Sequence, residues 1–230
     1  MKKLFAAIRA SDVELVRKII EKNPALVNCA AKQPPKKDDG QSPLQVALKT
    51  GNMAIAEYLL DMGADVSFIE EETCCNAWRT PVLHDAINCA VMSCRWNTND
   101  KYMGFRVSST KERAAEALGI LKRMVAAGAD VNALDSYGNS GMNRFALQAK
   151  QILPSYNYAE HREGTDRIFT EELHEDLRNV LQTLKEAGGD ASYRAPNLGA
   201  SVREFCSEGS VSVLFDEVFG CDPETGTETK

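Results

Sequence analysis

The stretch that decides the fold is Leu59–Val66, which reads Leu-Leu-Asp-Met-Gly-Ala-Asp-Val at the end of an apolar run. It recurs at Met124–Asn132 and, with Gly-Gly-Asp-Ala at its centre, at Leu184–Ser192. A phrase that returns at the same place in similar segments is the signature of a repeat array, in which each unit buries its apolar face against its neighbours. We therefore expect an all-α chain of stacked units in one elongated domain.

The composition argues against several classes of protein. The 230 residues include 33 acidic and 27 basic side chains, and the net charge of -6 opposes binding to nucleic acid. The apolar run near the start, Leu4–Ile8, is too short for a signal peptide, and no stretch is long enough to span a membrane. Seven irregularly spaced cysteines do not suggest a secreted disulfide framework, so we expect a cytoplasmic location.

Two segments that precede copies of the phrase carry a family pattern. They are Ser42–Ala47, Ser-Pro-Leu-Gln-Val-Ala, and Thr80–Ala86, Thr-Pro-Val-Leu-His-Asp-Ala. Both resemble the Thr-Pro-Leu-His-x-Ala opening of an ankyrin repeat, and Asp39–Ser67 is similar to that family over nearly a whole unit. The resemblance implies an ankyrin-repeat solenoid of helix-turn-helix units joined by hairpin-like loops. It also implies a non-catalytic scaffold that binds another protein.

The resemblance extends to five units in a single domain of residues 1–220. The first unit lacks its leading turn and is expected to cap the N-terminal end, and two short amphipathic segments around Gly209 should close the other end. The approximate bounds of the units are 1–29, 39–67, 78–133, 135–193 and 197–219. Residues 221–230 contain almost nothing apolar and are expected to form a flexible C-terminal tail.

The third and fourth units are larger than the second by the same amount. In the second unit, Ser67 lies 25 positions after Ser42. In the third and fourth units, Asn132 lies 52 positions after Thr80 and Ser192 lies 52 positions after Ser140, which is 27 more. We place the additions between the first and second helices, at about 89–112 and 150–172, and expect helical extensions joined by loops.

Each addition leads into a long amphipathic helix, and the apolar positions of the two helices match. Ser109 and Glu112 predict a capping box for the first helix, which should run from about Thr110 to Ala127. Thr170 is expected to cap the second. The first addition is mainly basic and the second mainly acidic, so the two should lie side by side as a raised shoulder.

Candidate partner-binding residues fall in two places. The loops Asn28–Ser42 and Ser67–Thr80 are longer than the family's turns, and they contain Lys36, Lys37 and Trp78. The additions contain Trp96, Tyr102, Phe105, Arg106, Tyr156, Tyr158 and Arg162. Aromatic residues and arginine dominate interface hot spots, so these residues form one partner-binding patch if the additions stack. The alternative is that the same rings are the small core of the shoulder.

Catalytic or metal-binding chemistry has little support in the sequence. No glycine-rich phosphate loop, nucleophile elbow or metalloprotease helix is visible, so we expect no enzyme and no cofactor. His84 occupies a motif position whose side chain, in the family, ties neighbouring turns together by hydrogen bonds. The alternative is a zinc site without paired Cys-x-x-Cys ligands, drawn from Cys74, Cys75, His84, Cys89 and Cys94.

These observations predict a monomeric protein-interaction scaffold whose partner is another protein, not nucleic acid or a membrane. The main alternative is a regulatory protein or secreted effector that docks on an enzyme and modulates it. A metal-dependent enzyme built around His84 and the nearby cysteines is the outside alternative. That alternative requires a deep pocket beside the histidine.

Overall fold

The computed structural model describes residues 1–32, 36–72 and 78–220, so the expected tail at 221–230 lies outside the described residues. The described chain is mostly helical, as the sequence predicts. The helices are α1 (Lys2–Arg9), α2 (Val13–Lys22), α3 (Pro43–Lys49), α4 (Met53–Asp61), α5 (Val82–Ser93), α6 (Lys111–Ala126), α7 (Gly141–Ile152), α8 (Glu171–Glu186), α9 (Val202–Phe205) and α10 (Ser210–Phe219). Antiparallel hairpins pair β1 (Asn97–Asp100) with β2 (Gly104–Val107), β3 (Tyr156–Asn157) with β4 (Arg162–Glu163), and β5 (Arg194–Ala195) with β6 (Ala200–Ser201).

The helices form two rows around a shared core. The helices α1, α3, α5, α7 and α9 contact one another in that order, and so do α2, α4, α6, α8 and α10. A continuous cluster of buried apolar side chains fills the space between the rows. Each helix pair therefore buries its apolar face against its neighbours as well as within itself.

Capping residues in the sequence explain where the first helices begin. In α3, the Ser42 hydroxyl accepts the Gln45 N–H at 3.2 Å, and the Gln45 side chain accepts the Ser42 N–H at 3.1 Å. Ser140 and Asn143 make the same capping box in α7. Gly63, with a φ of +82°, follows α4 in the left-handed conformation that its place in the repeated phrase predicts.

Asparagine side chains tie two of the junctions between units. Asn28 donates to the Gly63 carbonyl at 3.1 Å and accepts the Asp65 N–H at 2.8 Å. Asn132 makes the same two bonds to the Gly-Gly-Asp turn after α8, at 2.9 and 3.0 Å. Ser67 holds this position in the second unit and, within the described part of the chain, makes no such pair of bonds to the third.

The helix pairs α5–α6 and α7–α8, which the sequence assigns to the third and fourth units, are both longer than α3–α4. The helices α5 and α7 each have 12 residues against 7 in α3, and α6 and α8 each have 16 against 9 in α4. A strand hairpin lies between the helices of each enlarged unit, so the expectation of helices joined only by loops is wrong here. In the first hairpin, Gly104 with a φ of +70° ends a tight turn, and Phe105 and Val107 are residues that favour strands.

The capping box predicted at Ser109 and Glu112 is wrong by one residue. Thr110 caps α6 by accepting the N–H of the third helical residue at 3.3 Å. The Ser109 hydroxyl instead donates to the Ser93 carbonyl at 2.6 Å, because that carbonyl is left free at the end of α5. The cap predicted for α8 at Thr170 is confirmed.

Polar contacts join the two enlarged units. Arg95 donates to Asp176 at 2.7 and 2.9 Å and to Glu175 at 3.0 Å. The Asn97 side chain exchanges two hydrogen bonds with the backbone of Ile168, at 2.7 and 2.8 Å. These contacts at Arg95 have the charge signs that the sequence predicts, with the acidic side chains on α8.

Candidate functional site

A concave site, here called the groove, lies where α3, α5 and α7 meet the loops that precede α3 and α5. Its volume is about 530 Å³. It brings together Lys36, Lys37 and Trp78, which the sequence predicted on two separate loops. Other residues that line it are Gln41, Lys49, Glu70, Thr80, Asp85, Asn88 and Arg144.

Glu70 organises the floor of the groove. One of its carboxylate oxygens accepts from the Gln41 side chain at 2.7 Å and from the Lys49 ammonium at 3.1 Å. The other accepts the Thr80 N–H at 3.1 Å. Because these partners come from two loops and the end of α3, the buried carboxylate holds the floor in one arrangement before any ligand arrives.

Asp85 is a second carboxylate in the groove, on α5, and only 2% of its surface is exposed. It accepts from the Gln45 side chain at 3.1 Å, and the Lys49 ammonium lies 4.0 Å away. Burial raises the pKa of Asp85 to about 7, because the gain from Lys49 does not offset the loss of water and the nearby charge of Glu70. Asp85 therefore exchanges a proton near neutral pH.

Two amide oxygens in the groove lack donors. The Oε1 atom of Gln41 and the Oδ1 atom of Asn88 are buried and accept no hydrogen bond from the described residues. A buried acceptor without a partner costs about 1–3 kcal/mol. A ligand that donated an N–H to either oxygen would recover part of that free energy.

Trp78 and Arg144 form one wall of the groove. The Arg144 guanidinium lies 5.2 Å from the centre of the indole ring of Trp78. The Tyr137 ring packs edge-on against the same indole ring, with centroids 5.1 Å apart. Arg144 also pairs with buried Asp135 at 2.7 Å. The wall therefore combines an apolar surface with a guanidinium whose charge is balanced by Asp135, and the exposed Lys36 and Lys37 add two positive charges at the rim.

A second cavity of about 400 Å³ shares Lys49, Asp85 and Asn88 with the groove. It follows α5 to Met92 and reaches Arg113 at the start of α6. The concave surface therefore runs along much of α5.

Lys49, Asp85 and Asn88 were not predicted from the sequence. A signal was present, because Gln45 and Lys49 are spaced i, i+4 and Asp85 and Asn88 are spaced i, i+3 on helices that are mostly apolar. Each pair puts two polar side chains on one helix face. What the sequence does not say is that these faces line a groove.

The first hairpin, β1 with β2, holds three predicted partner-binding residues in exposed positions. Tyr102 is 82% exposed and Phe105 48% exposed, and Arg106 is also exposed. Trp96, just before β1, is half-buried against the core and donates to the Met92 carbonyl at 3.2 Å. The alternative that a predicted ring packs within the chain therefore fits Trp96, but not Tyr102 or Phe105.

The second hairpin, β3 with β4, faces the closing unit. Tyr156 and Tyr158 lie edge to face with centroids 5.0 Å apart and line a cavity of about 130 Å³ beside the start of α10. Tyr156 hydrogen-bonds Glu208, and this bond is the main reason that the pKa of Tyr156 is raised to about 12. Lys150 donates to the Tyr158 hydroxyl at 3.0 Å, and the exposed Arg162 pairs with a glutamate of its own turn.

The described aromatic rings of the two additions do not contact one another. Among the described residues, the ring contacts of Tyr156 and Tyr158 are to each other and to Lys150, and none reaches Tyr102 or Phe105. Shared stacking of the helices does not bring these rings together, because the second hairpin bends onto the closing unit.

Glu163 shows how firmly the second hairpin is attached. Its carboxylate accepts the Ser210 N–H at 2.5 Å and the Ser210 hydroxyl at 2.6 Å. Gly209 occupies the N-cap position of α10 and has no side chain to satisfy these donors, so β4 supplies the cap.

His84 makes the contact that the family resemblance implies. It is buried, and its Nε2 atom lies 3.1 Å from the Ala133 carbonyl in the following inter-unit turn. Burial lowers its pKa to about 4, with the charge of Arg144 acting in the same direction. His84 is therefore neutral near pH 7 and links two successive turns.

The cysteines of the alternative zinc site point elsewhere. Cys89 lies 3.7 Å from the Met53 sulfur, and Cys94 contacts the Ala90 carbonyl at 3.4 Å. Cys74 and Cys75 lie outside the described residues. In residues 1–32, 36–72 and 78–220, no group of three or more His, Cys, Asp or Glu side chains is placed to hold a metal ion.

Comparison with known proteins finds a family match for one segment of the chain. The family model of the ankyrin repeat matches residues 39–70, which include α3 and α4. No curated protein matches the chain. Ankyrin repeats generally mediate protein–protein interaction. In the described part of the chain, no helix has the length and apolar character needed to cross a membrane.

Proposed function

Because this chain is an ankyrin repeat protein, with the matched repeat at residues 39–70, we propose that it is a non-catalytic scaffold that binds another protein in the groove. The observation that carries the proposal is the convergence of four basic side chains and an indole ring around one concave site. These residues are Lys36, Lys37, Lys49, Arg144 and Trp78.

The scaffold we propose is an ankyrin solenoid of five units with approximate bounds 1–29, 39–67, 78–133, 135–193 and 197–219. Its third and fourth units contain insertions at about 89–112 and 150–172. The equal lengths of α5 and α7, and of α6 and α8, support this division, because one pattern of enlargement accounts for both units. The two continuous rows of helices support a single domain.

The partner segment we propose is extended and acidic. Its carboxylates would pair with Lys36 and Lys37, which are exposed at the rim. An apolar side chain of the segment would pack on Trp78. The acidic and the apolar side chains of the segment would thus each contact a complementary side chain of the groove.

Asp85 makes binding of such a segment dependent on pH. An acidic ligand is repelled by an ionised Asp85 and is accepted more easily when that carboxyl is neutral. Because burial raises the pKa of Asp85 to about 7, affinity should be higher at pH 6 than at pH 8. Replacement by asparagine should remove this dependence.

We also propose that the protein acts as a monomer in a reducing compartment such as the cytoplasm. Its described thiols Cys29, Cys89, Cys94 and Cys206 are free, Cys29 being half-buried and the other three buried, and burial raises the pKa of each. Small buried thiols of this kind pack as apolar groups and persist without oxidation in such a compartment.

The test reverses the charge at the rim. The double variant Lys36→Glu, Lys37→Glu is compared with Lys2→Glu, Lys3→Glu, which makes the same charge change on the exposed face of α1. Affinity capture from the native organism, followed by mass spectrometry, is run with wild type and both variants. We expect proteins that bind wild type and the α1 variant but lose about tenfold or more in affinity for the rim variant.

Equal capture by all three proteins would contradict the groove as the binding site. Equal loss in both variants would show that net charge alone, rather than the groove, determines the interaction. The purified partner is then tested against wild type at pH 6 and pH 8, where the affinity should be higher at pH 6.

A further inference from the structure

The hydrogen-bond pattern of the first hairpin leaves one strand edge open. The Ser108 N–H donates to the Trp96 carbonyl at 2.8 Å, which sets the alternation of bonded and non-bonded pairs. By that alternation Arg106 exchanges hydrogen bonds with its β1 partner, whereas Phe105 and Val107 stand in non-bonded pairs. The backbone N–H and C=O groups of Phe105 and Val107 therefore point away from β1.

The other edge of the hairpin is already paired. The Asn99 N–H donates to the Asp166 carbonyl at 2.8 Å, and the Asn99 side chain donates to the Thr165 carbonyl at 3.0 Å. Among the described residues, no hydrogen bond from outside the hairpin reaches the backbone of Phe105 or Val107. One edge is thus held against the fourth unit, and the other faces solvent.

Side chains along the open edge alternate in character. Phe105 and Val107 lie on one face of the hairpin and are 48% and 50% exposed. Arg106 lies on the opposite face, with Lys101 in the turn, and both are exposed. A strand added beside β2 would therefore meet two apolar side chains on one face and positive charge on the other.

We propose that β2 is a docking edge on which an extended segment of a partner protein adds as a third strand. The segment has apolar residues opposite Phe105 and Val107 and an aspartate or glutamate opposite Arg106. This inference rests on the proposed protein-binding function but concerns a surface separate from the groove. Backbone hydrogen bonds supply affinity in this mode, and the alternating side chains supply the preference for sequence.

A second copy of this chain is a poorer occupant of the same edge. An antiparallel pairing that sets Phe105 against Val107 of another copy places the two Arg106 side chains opposite each other. Like charges directly opposite in a sheet are destabilising. A partner with an acidic residue at the centre avoids that repulsion, which is why charge complementarity selects it.

The test removes one outward N–H and keeps the hairpin. Val107→Pro deletes the N–H that faces solvent, and proline is tolerated at such an edge position because no ladder bond is lost. Val107→Thr is the matched control, since it keeps the N–H and a β-branched side chain. The probes are short synthetic peptides with Val-Glu-Val or Val-Lys-Val at the centre, each also made with N-methylated backbone amides.

We expect wild type and Val107→Thr to bind the Val-Glu-Val peptide within about twofold of each other, and Val107→Pro about tenfold or more weakly. Binding should slow hydrogen exchange at the Phe105 amide, measured by nuclear magnetic resonance, and N-methylation should abolish it. Arg106→Glu, which leaves the backbone intact, should reverse the preference to Val-Lys-Val. This variant keeps the test valid if the proline variant does not fold.

Two results would overturn the proposal. One is equal binding by Val107→Pro and Val107→Thr, and the other is a concentration-dependent dimer in sedimentation that Val107→Pro abolishes. The variant Lys36→Glu, Lys37→Glu should bind the peptides like wild type. A failure of docking at β2 is therefore distinguishable from a failure of the groove.

Discussion

The groove and the first hairpin are two candidate binding surfaces built on opposite principles. The groove lies on three packed helices and keeps Glu70 and Asp85 buried at its floor. The first hairpin stands in solvent and is attached to the fourth unit mainly through Arg95 and Asn97. Recognition in the groove therefore depends on buried ionisable groups, whereas recognition on the hairpin depends on exposed backbone and rings.

This difference implies different responses to conditions and to mutation. A groove organised by buried carboxylates should respond to pH and should lose binding together with stability when it is altered. An exposed strand edge should tolerate surface substitutions and lose binding without loss of stability. The following substitutions are arranged from the largest expected effect on the free energy of unfolding to the smallest.

The largest effect is expected for Asp85→Asn, and its size depends on pH. The folded state raises the pKa of Asp85 from 3.8 to about 7, so between these values the folded protein holds a proton that the unfolded chain has released. The contribution of Asp85 to stability therefore falls as pH rises from about 4 to about 7 and is constant above that range. The free energy of unfolding of the asparagine variant, relative to that of wild type, should therefore increase by an amount on the order of 4 kcal/mol between pH 4 and pH 8.

The comparison with wild type at each pH isolates Asp85 from its neighbour His84. The pKa of His84 is lowered in the folded state to about 4, so its contribution to stability rises with pH over part of the same range. That contribution cancels in the difference between the two proteins. Urea unfolding at several pH values measures the difference, and a value that does not change with pH would contradict the prediction.

Arg95→Ala should loosen the first hairpin and leave the groove intact. Asp176, nearly buried, accepts three hydrogen bonds from Arg95 and would lose the two that the Arg95 side chain donates, so we expect a loss of about 2–3 kcal/mol. One of the bonds is made by the backbone N–H and survives, which limits the effect. Hydrogen exchange should become faster in β1 and β2, while capture by the groove stays within about twofold. The control Arg162→Ala, on the exposed second hairpin, should change stability by less than about 0.5 kcal/mol.

Trp78→Ala should affect both stability and binding in the groove. The variant loses the ring contacts with Tyr137 and Arg144, but the ring is already partly exposed, so we expect a loss of about 1–2 kcal/mol. Partner affinity should fall about tenfold, whereas peptide binding at β2 should not change. Trp78→Phe, which keeps an aromatic wall, should recover most of the affinity. Equal loss in both variants would argue against packing on the ring.

Arg106→Glu should have the smallest effect on stability. Its side chain is exposed, so the free energy of unfolding should change by less than about 0.5 kcal/mol. The same substitution should reverse the charge preference of the first hairpin. A measurable loss of stability would show that Arg106 supports the hairpin itself, and the contrast between groove and hairpin would then be weaker.

The helices were the part of the fold most accessible from sequence. The predicted span of α6, from about Thr110 to Ala127, agrees with Lys111–Ala126, because its apolar residues keep a helical period over several turns. The hairpins were not predicted. β1 reads Asn-Thr-Asn-Asp and has no apolar alternation, so nothing in its composition distinguishes it from a loop.

The groove was only partly accessible from sequence. Lys36, Lys37 and Trp78 were singled out because their loops are long, but their meeting in one site depends on how the units stack. Asp85 was missed because a single carboxylate in an apolar helix does not show which helix face is concave. Its environment comes from Glu70 and Lys49, which reach it from other elements of the chain.

The two asparagine ties have a mechanical consequence. Asn28 and Asn132 fasten the first unit to the second and the third to the fourth, whereas Ser67 makes no such pair of bonds among the described residues at the junction between the second and third units. The Gln45 side chain bridges this junction instead, donating to the Thr80 carbonyl at 3.2 Å and to Asp85 at 3.1 Å, so its bonds carry load when the protein is stretched across the junction. Lys49 and Asp85 lie on its two sides, so a ligand in the groove spans it and should raise the force that the protein withstands.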